Sequence, residues 1–63
     1  MSERYEAVAE RLETIVADLD EIAFDELREA AANGATKRPA SDKRLTAARR
    51  SIEKAIHLLR DER

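Results

Sequence analysis

Between Tyr5 and Leu27 the apolar residues recur every three or four positions: Tyr5, Val8, Leu12, Ile15, Val16, Leu19, Ile22, Ala23 and Leu27. An α-helix turns once in 3.6 residues, so these steps gather the apolar side chains along one side of a rod. No Gly or Pro interrupts the run, and Glu, Asp and Arg fill the other face. Most of these polar residues are neutral or favourable in a helix. The pattern predicts one long amphipathic helix, and the rest of the chain must accommodate it.

The ends of that helix are also marked. Ser2 is placed to accept a free amide of the first turn, and Glu3 and Glu6 come next, at the positive end of the helix dipole. Asn33-Gly34 stands where the periodicity stops, and a Gly there takes the left-handed conformation that caps a helix. The predicted helix covers about 3–32, a rod of roughly 45 Å at 1.5 Å per residue. Residues 33–41 read as a loop, because Pro39 disfavours helix at Arg38 and Ser41 or Asp42 can cap a new helix. That second helix is expected over about 42–61, with a seam of Leu45, Ala48, Ile52, Ala55, Ile56 and Leu59 and a weaker flank at Ala47, Ser51 and Leu58. Two long helices on a short connection make an all-α, antiparallel helical hairpin in a single domain.

The predicted face is uneven. From Tyr5 to Ile22 the spacing is that of a narrow coiled-coil seam, after which Phe24, Leu27 and Ala31 drift to one side. Phe24 lies about 120° around the helix from Leu12, too far to share one groove. A second contact surface is implied. At 63 residues without cysteine, the chain is near the lower limit for folding alone and has no disulfide or thiolate–metal staple. Association with another chain is the staple left. The expected unit is a C2 homodimer forming a four-helix bundle, with Tyr5, Val8, Phe24, Leu27, Ala31, Ala47 and Leu58 at the interface.

Charge is divided between the halves. Residues 1–32 hold ten acids and three bases, and residues 33–63 hold nine bases and four acids. Folded back on itself, such a chain brings Asp25, Glu26 and Glu29 level with Lys43, Arg44, Arg49 and Arg50. The second helix would cover roughly residues 12–32 of the first and leave Tyr5 and Val8 overhanging. Exposed pairs of this kind are worth only about 0–1 kcal/mol each, so they choose an orientation more than they stabilise it. The N-terminal residues run straight into the helical pattern with no apolar leader, and the apolar runs are far too short for a bilayer. A soluble, cytoplasmic protein with no membrane partner is the expectation.

Chemistry has few residues to use. Glu53 and His57 sit four apart and read as a solvated pair, since His57 points well away from Ile52 and the carboxylate–histidine spacing of di-iron bundles is three. Asp18 and Asp20 project to the sides of Leu19 as part of a solvated face. There is no phosphate loop, no Cys or His dyad and no acid set in an apolar run. No catalytic residue, metal, cofactor or small-molecule ligand is expected. The basic cluster Lys37, Arg38, Lys43, Arg44, Arg49 and Arg50 is the one feature suited to a polyanion, through phosphate contacts alone, because no aromatic is interleaved for base stacking.

Two stretches resemble known families. The run from Leu45 through Arg49-Arg50, Ile52 and Ile56 to Leu59-Arg60, with Gly34 and Pro39 before it, resembles the last helix and turn of the two-helix hairpin protein of the large ribosomal subunit. That resemblance implies ribosomal RNA as partner, although its members are markedly basic and this chain is net −2. Separately, Tyr5-Glu6, Leu12, Ile15-Val16 and Leu19, with Leu45, Ala48-Arg49 and Ile52, are similar to the small subunit of bacterial exonuclease VII. That resemblance implies a non-catalytic hairpin bound to a large nuclease chain. The family's Gly-x-Leu-x-Leu turn is replaced here by Asp20-Glu-Ile-Ala-Phe-Asp. Taken together, the sequence predicts a hairpin that works by self-association and partner binding and carries no chemistry of its own, with weak nucleic-acid or ribosome binding, or an accessory role to a nuclease, as the alternatives.

Overall fold

The computed structural model describes residues 2–34 and 39–60. Nearly all of them lie in two helices, α1 (Glu3–Ala32) and α2 (Ser41–Arg60). Ser41 meets Glu26 beside the turn while Arg60 meets Glu6 at the far end, so the helices run antiparallel. The hairpin measures 48 × 16 × 13 Å.

Local chemistry sets the ends of α1 as expected. The Ser2 hydroxyl accepts from the Arg4 amide at 3.1 Å, and Ser2, at φ −80° and ψ 136°, is extended as a cap requires. At the other end the Asn33 amide donates to Glu29 at 3.0 Å and the Gly34 amide to Ala31 at 3.1 Å. Gly34 has φ 81°, the left-handed turn that lets an orphan carbonyl of the last helical turn be satisfied. α2 starts one residue earlier than its sequence pattern predicts, because the Asp42 amide donates to the Pro39 carbonyl at 3.0 Å. The Ser41 hydroxyl donates across the hairpin to the Glu26 carboxylate at 2.6 Å. Lys37, Arg38 and Asp61 lie outside the described residues.

The seam differs from the one the periodicity predicts. Glu6, Ala9, Leu12, Val16, Leu19, Ala23, Glu26 and Ala30 are the buried or half-buried positions of α1 that face α2; Leu12, Val16, Leu19 and Ala23 belong to the predicted apolar side, but only Leu12 and Leu19 to its narrow series. Tyr5, Val8, Ile15 and Ile22 are left exposed. Two interleaved three-four series run along α1, and the one that won contains the alanines. Small residues at positions 9, 23 and 30 of α1, and at 48 and 55 of α2, let the helix axes approach more closely than isoleucine would. The predicted overhang is corrected too. Arg60 reaches Glu6 and Ala9 is fully enclosed, so α2 covers α1 almost to its first turn.

Little is enclosed between the helices. Among the described residues only Ala9 and Ile56 are buried, and no large side chain is fully so. The chain exposes 5340 Å² at a mass of 7.1 kDa, where a compact monomer of that mass exposes roughly 4,100 Å². The excess, about 1,200 Å², exceeds the roughly 800 Å² that each partner contributes to an ordinary protein interface.

Candidate association surface

A two-helix hairpin has a seam and two flanks, and here the flanks are chemically unlike. On α1, the residues just after Leu12, Leu19 and Glu26 are Glu13, Asp20 and Leu27; those just before Ala9, Val16 and Ala23 are Val8, Ile15 and Ile22. On α2 the corresponding residues are Arg49 and Glu53 on one flank, and Arg44, Ser51 and Leu58 on the other. Antiparallel packing sets like flanks side by side. An open groove lined by Glu13, Asp20, Glu53, Ile56 and Arg60 confirms the pairing on the first flank.

From Glu6 to Asp20 that first flank is polar and tied by ion pairs, and nearer the turn it exposes Phe24 and Leu27. Arg60 forks onto Glu6, with Nε to Oε1 at 2.9 Å and Nη2 to Oε2 at 2.7 Å. It also donates to both oxygens of Glu13, at 2.9 and 3.2 Å. Hydrogen bonds from Arg60 hold the carboxyls of Glu6 and Glu13 below their ordinary value. The same bonds, Glu6 first and Glu13 second, raise the guanidinium above its own. One turn up from Ile52, Arg49 pairs with Asp20 at 3.1 Å and with Glu53 at 3.8 Å. Glu53 is therefore turned toward Arg49, four residues before it, and not toward His57, the partner expected from sequence.

The second flank is apolar and open. Val8 is 37% exposed, Ile15 43%, Ile22 46% and Leu58 71%. The ion pairs fix the level of one helix against the other, with Arg49 beside Asp20 and Arg60 between Glu6 and Glu13. At that register Leu58 stands level with the stretch between Val8 and Ile15. Val8, Ile15, Leu58 and Ile22 thus form one stripe about 21 Å long, nearly half the length of the hairpin. The sequence pattern assigns Ile15 and Ile22 to the seam; the clue to their real place is the competing alanine series.

The residues expected at an interface are distributed over both flanks. Val8 and Leu58 are exposed on the apolar flank, Tyr5 is exposed at the N-terminal end of the seam line, seven residues before Leu12, and Ala47 is exposed on α2 one turn from Ser51. Phe24, Leu27 and Ala31 are exposed on the other flank of α1, where the Arg28 guanidinium lies 5.8 Å from the Phe24 ring centroid. A single flat partner surface does not reach both groups. The acids and bases also pair differently from the expectation. Asp25 is bonded to Arg28 of its own helix, Glu26 takes the Ser41 hydroxyl, and Asp20 takes Arg49. Lys43, Arg44 and Arg50 are exposed and have no ion-pair partner among the described residues.

Among the described residues no three acids or histidines gather as a metal site would need, and no helix is long and apolar enough to cross a membrane. No protein-family model, curated protein or solved structure matches the chain.

Proposed function

We propose that this protein works by association and does no chemistry, its working unit being a homodimer in which two hairpins form a four-helix bundle. The observation that carries this reading is the exposed stripe of Val8, Ile15, Ile22 and Leu58 beside a seam that, among the described residues, encloses only Ala9 and Ile56. Fully burying one such aliphatic side chain is worth about 1.5–3 kcal/mol. Covering the exposed shares of these four therefore gives about 3–6 kcal/mol per chain, twice that in a pair. Set against association costs of about 4–15 kcal/mol, that is the scale of a weak to moderate dimer. In proteins most helical stability comes from packing an amphipathic face and not from propensity.

Sedimentation equilibrium over the micromolar range tests the reading, together with thermal melts at several concentrations. The expected outcome is a species of twice the chain mass whose melting temperature rises with concentration. A cooperatively melting helical monomer with a concentration-independent melt would end it.

A second reading, contact with a nucleic-acid backbone, is favoured by Lys43, Arg44 and Arg50, which project without ion-pair partners among the described residues. Arg49 fits it less well, being held by Asp20 and Glu53.

A further inference from the structure

A second copy of the chain can lie on the apolar flank in two ways that a two-fold axis allows. With the axis along the helices, α1 of one copy faces α2 of the other. With the axis across them, α1 faces α1 and α2 faces α2, each pair antiparallel. The two arrangements bring different residues together. Against α2, the series Val8, Ile15 and Ile22 meets Leu58, Ser51 and Arg44, so one residue in three finds an apolar partner. Against itself, Val8 meets Ile22 of the second copy and Ile15 meets Ile15, so all three do.

The charges bordering this series select the same arrangement independently. On the outer side of α1, again at seven-residue steps, stand Arg4, Arg11, Asp18 and Asp25, all exposed. Along the helix their signs run plus, plus, minus, minus. An antiparallel copy centred at Thr14 and Ile15 sets Arg11 against Asp18 and Arg4 against Asp25, each twice, whereas a parallel copy sets like against like. The apolar series has its centre at the same place. Asp25 is also bonded to Arg28 of its own helix, while Arg4, Arg11 and Asp18 have no ion-pair partner among the described residues. Lys54 lies level with Ile15 on α2, so the same axis sets it beside its own copy. Ser51 then meets Leu58, and α2 contributes less than α1.

We infer that two copies of this chain pair through α1, antiparallel, on a two-fold axis level with Thr14 and Ile15. Val8, Ile15 and Ile22 interleave there, and Arg11–Asp18 and Arg4–Asp25 pairs border them. This rests on the self-association proposed above and adds its face and register.

The chain has no cysteine, so single-cysteine variants read the geometry directly. Ile15→Cys is expected to oxidise to a covalent dimer, and Phe24→Cys is not. Arg11→Asp alone should weaken the dimer about tenfold at low salt, since it turns two attractive pairs into repulsive ones. The double variant Arg11→Asp/Asp18→Arg should return it to within about threefold of the parent, because the exchanged pairs re-form between copies. A parent chain that stays monomeric at every concentration ends self-association and this inference with it. A dimer in which the double variant is no better than the single one overturns the register alone. So does a dimer in which Ile15→Cys fails to couple to itself but couples to Ser51→Cys in a mixed sample.

Discussion

Placing an aspartate at Ile15 and, separately, at Phe24 separates the two flanks. In the hairpin both side chains are already largely open to water, Phe24 at 65% and Ile15 at 43%. Ile, Phe and Asp also differ little in helix propensity. A lone hairpin would therefore tolerate both changes, and exposure alone would rank Phe24 as the more consequential. Association through the apolar flank reverses that order. Covering the exposed share of Ile15 is worth about 0.6–1.3 kcal/mol per chain, from about 1.5–3 kcal/mol for the whole side chain, and counts twice in a pair. Ile15→Asp forfeits this and brings two carboxylates together at the axis. The sum is about 3 kcal/mol or more, roughly a hundredfold in dissociation constant. Phe24→Asp removes the contact with Arg28 on the opposite flank and should leave the dissociation constant within about threefold of the parent. Sedimentation equilibrium on both variants measures the difference, and far-ultraviolet circular dichroism checks that both stay helical. The reasoning fails if Ile15→Asp associates as the parent does, or if Phe24→Asp weakens association equally.

Acid should loosen the hairpin. Glu6 and Glu13 lie below the ordinary value of 4.5 when folded, so their contribution is complete above that value and is lost as pH falls through the lowered ones. Arg60→Gln should flatten this part of the melting profile, and parallel profiles for variant and parent would refute the assignment. Gly34→Ala meets nothing within 4 Å of the new carbon, so its cost is the left-handed backbone alone, about 1–2 kcal/mol, measurable by urea titration. If nucleic acid binds, contact is through phosphate, so Arg44→Ala and Arg50→Ala should lower affinity for every sequence alike, with steep loss in salt. A sequence preference that survives high salt would reject that mechanism.

Period and punctuation made the hairpin legible. Ser2 caps α1 through its hydroxyl and Gly34, lacking a Cβ, turns out of it, and the steps of three and four from Leu45 to Leu59 mark the inner face of α2 correctly. Rotation about the helix axis was the harder question. Val8, Ile15 and Ile22 are the more hydrophobic series, and hydrophobicity alone chose them for the seam. Packing depends also on how near two backbones come, and a single-helix pattern holds no information about the partner's alanines. Arg60 was missed for a related reason. Its partners stand 54 residues away at Glu6 and 47 away at Glu13, and no local motif announces a pair that exists only once the register is set.

The same separations bear on how the hairpin comes apart. Ser41 and Glu26 are 15 residues apart in the chain, Arg60 and Glu6 are 54. Loop-closure entropy grows with the logarithm of length, so bringing together the far ends of a flexible chain costs about 1 kcal/mol more than closing the near ones. Zipping should accordingly begin beside Gly34 and travel outward, and opening should retrace it from the other end. The two-carboxylate grip of Arg60 lies where that entropic pull is greatest, so it acts as a latch on a pair of tongs. Amides around Glu6, Ala9 and Leu59 should exchange with solvent before those around Leu19 and Ala48, and releasing the latch with Arg60→Gln should widen that gap from the open end inward.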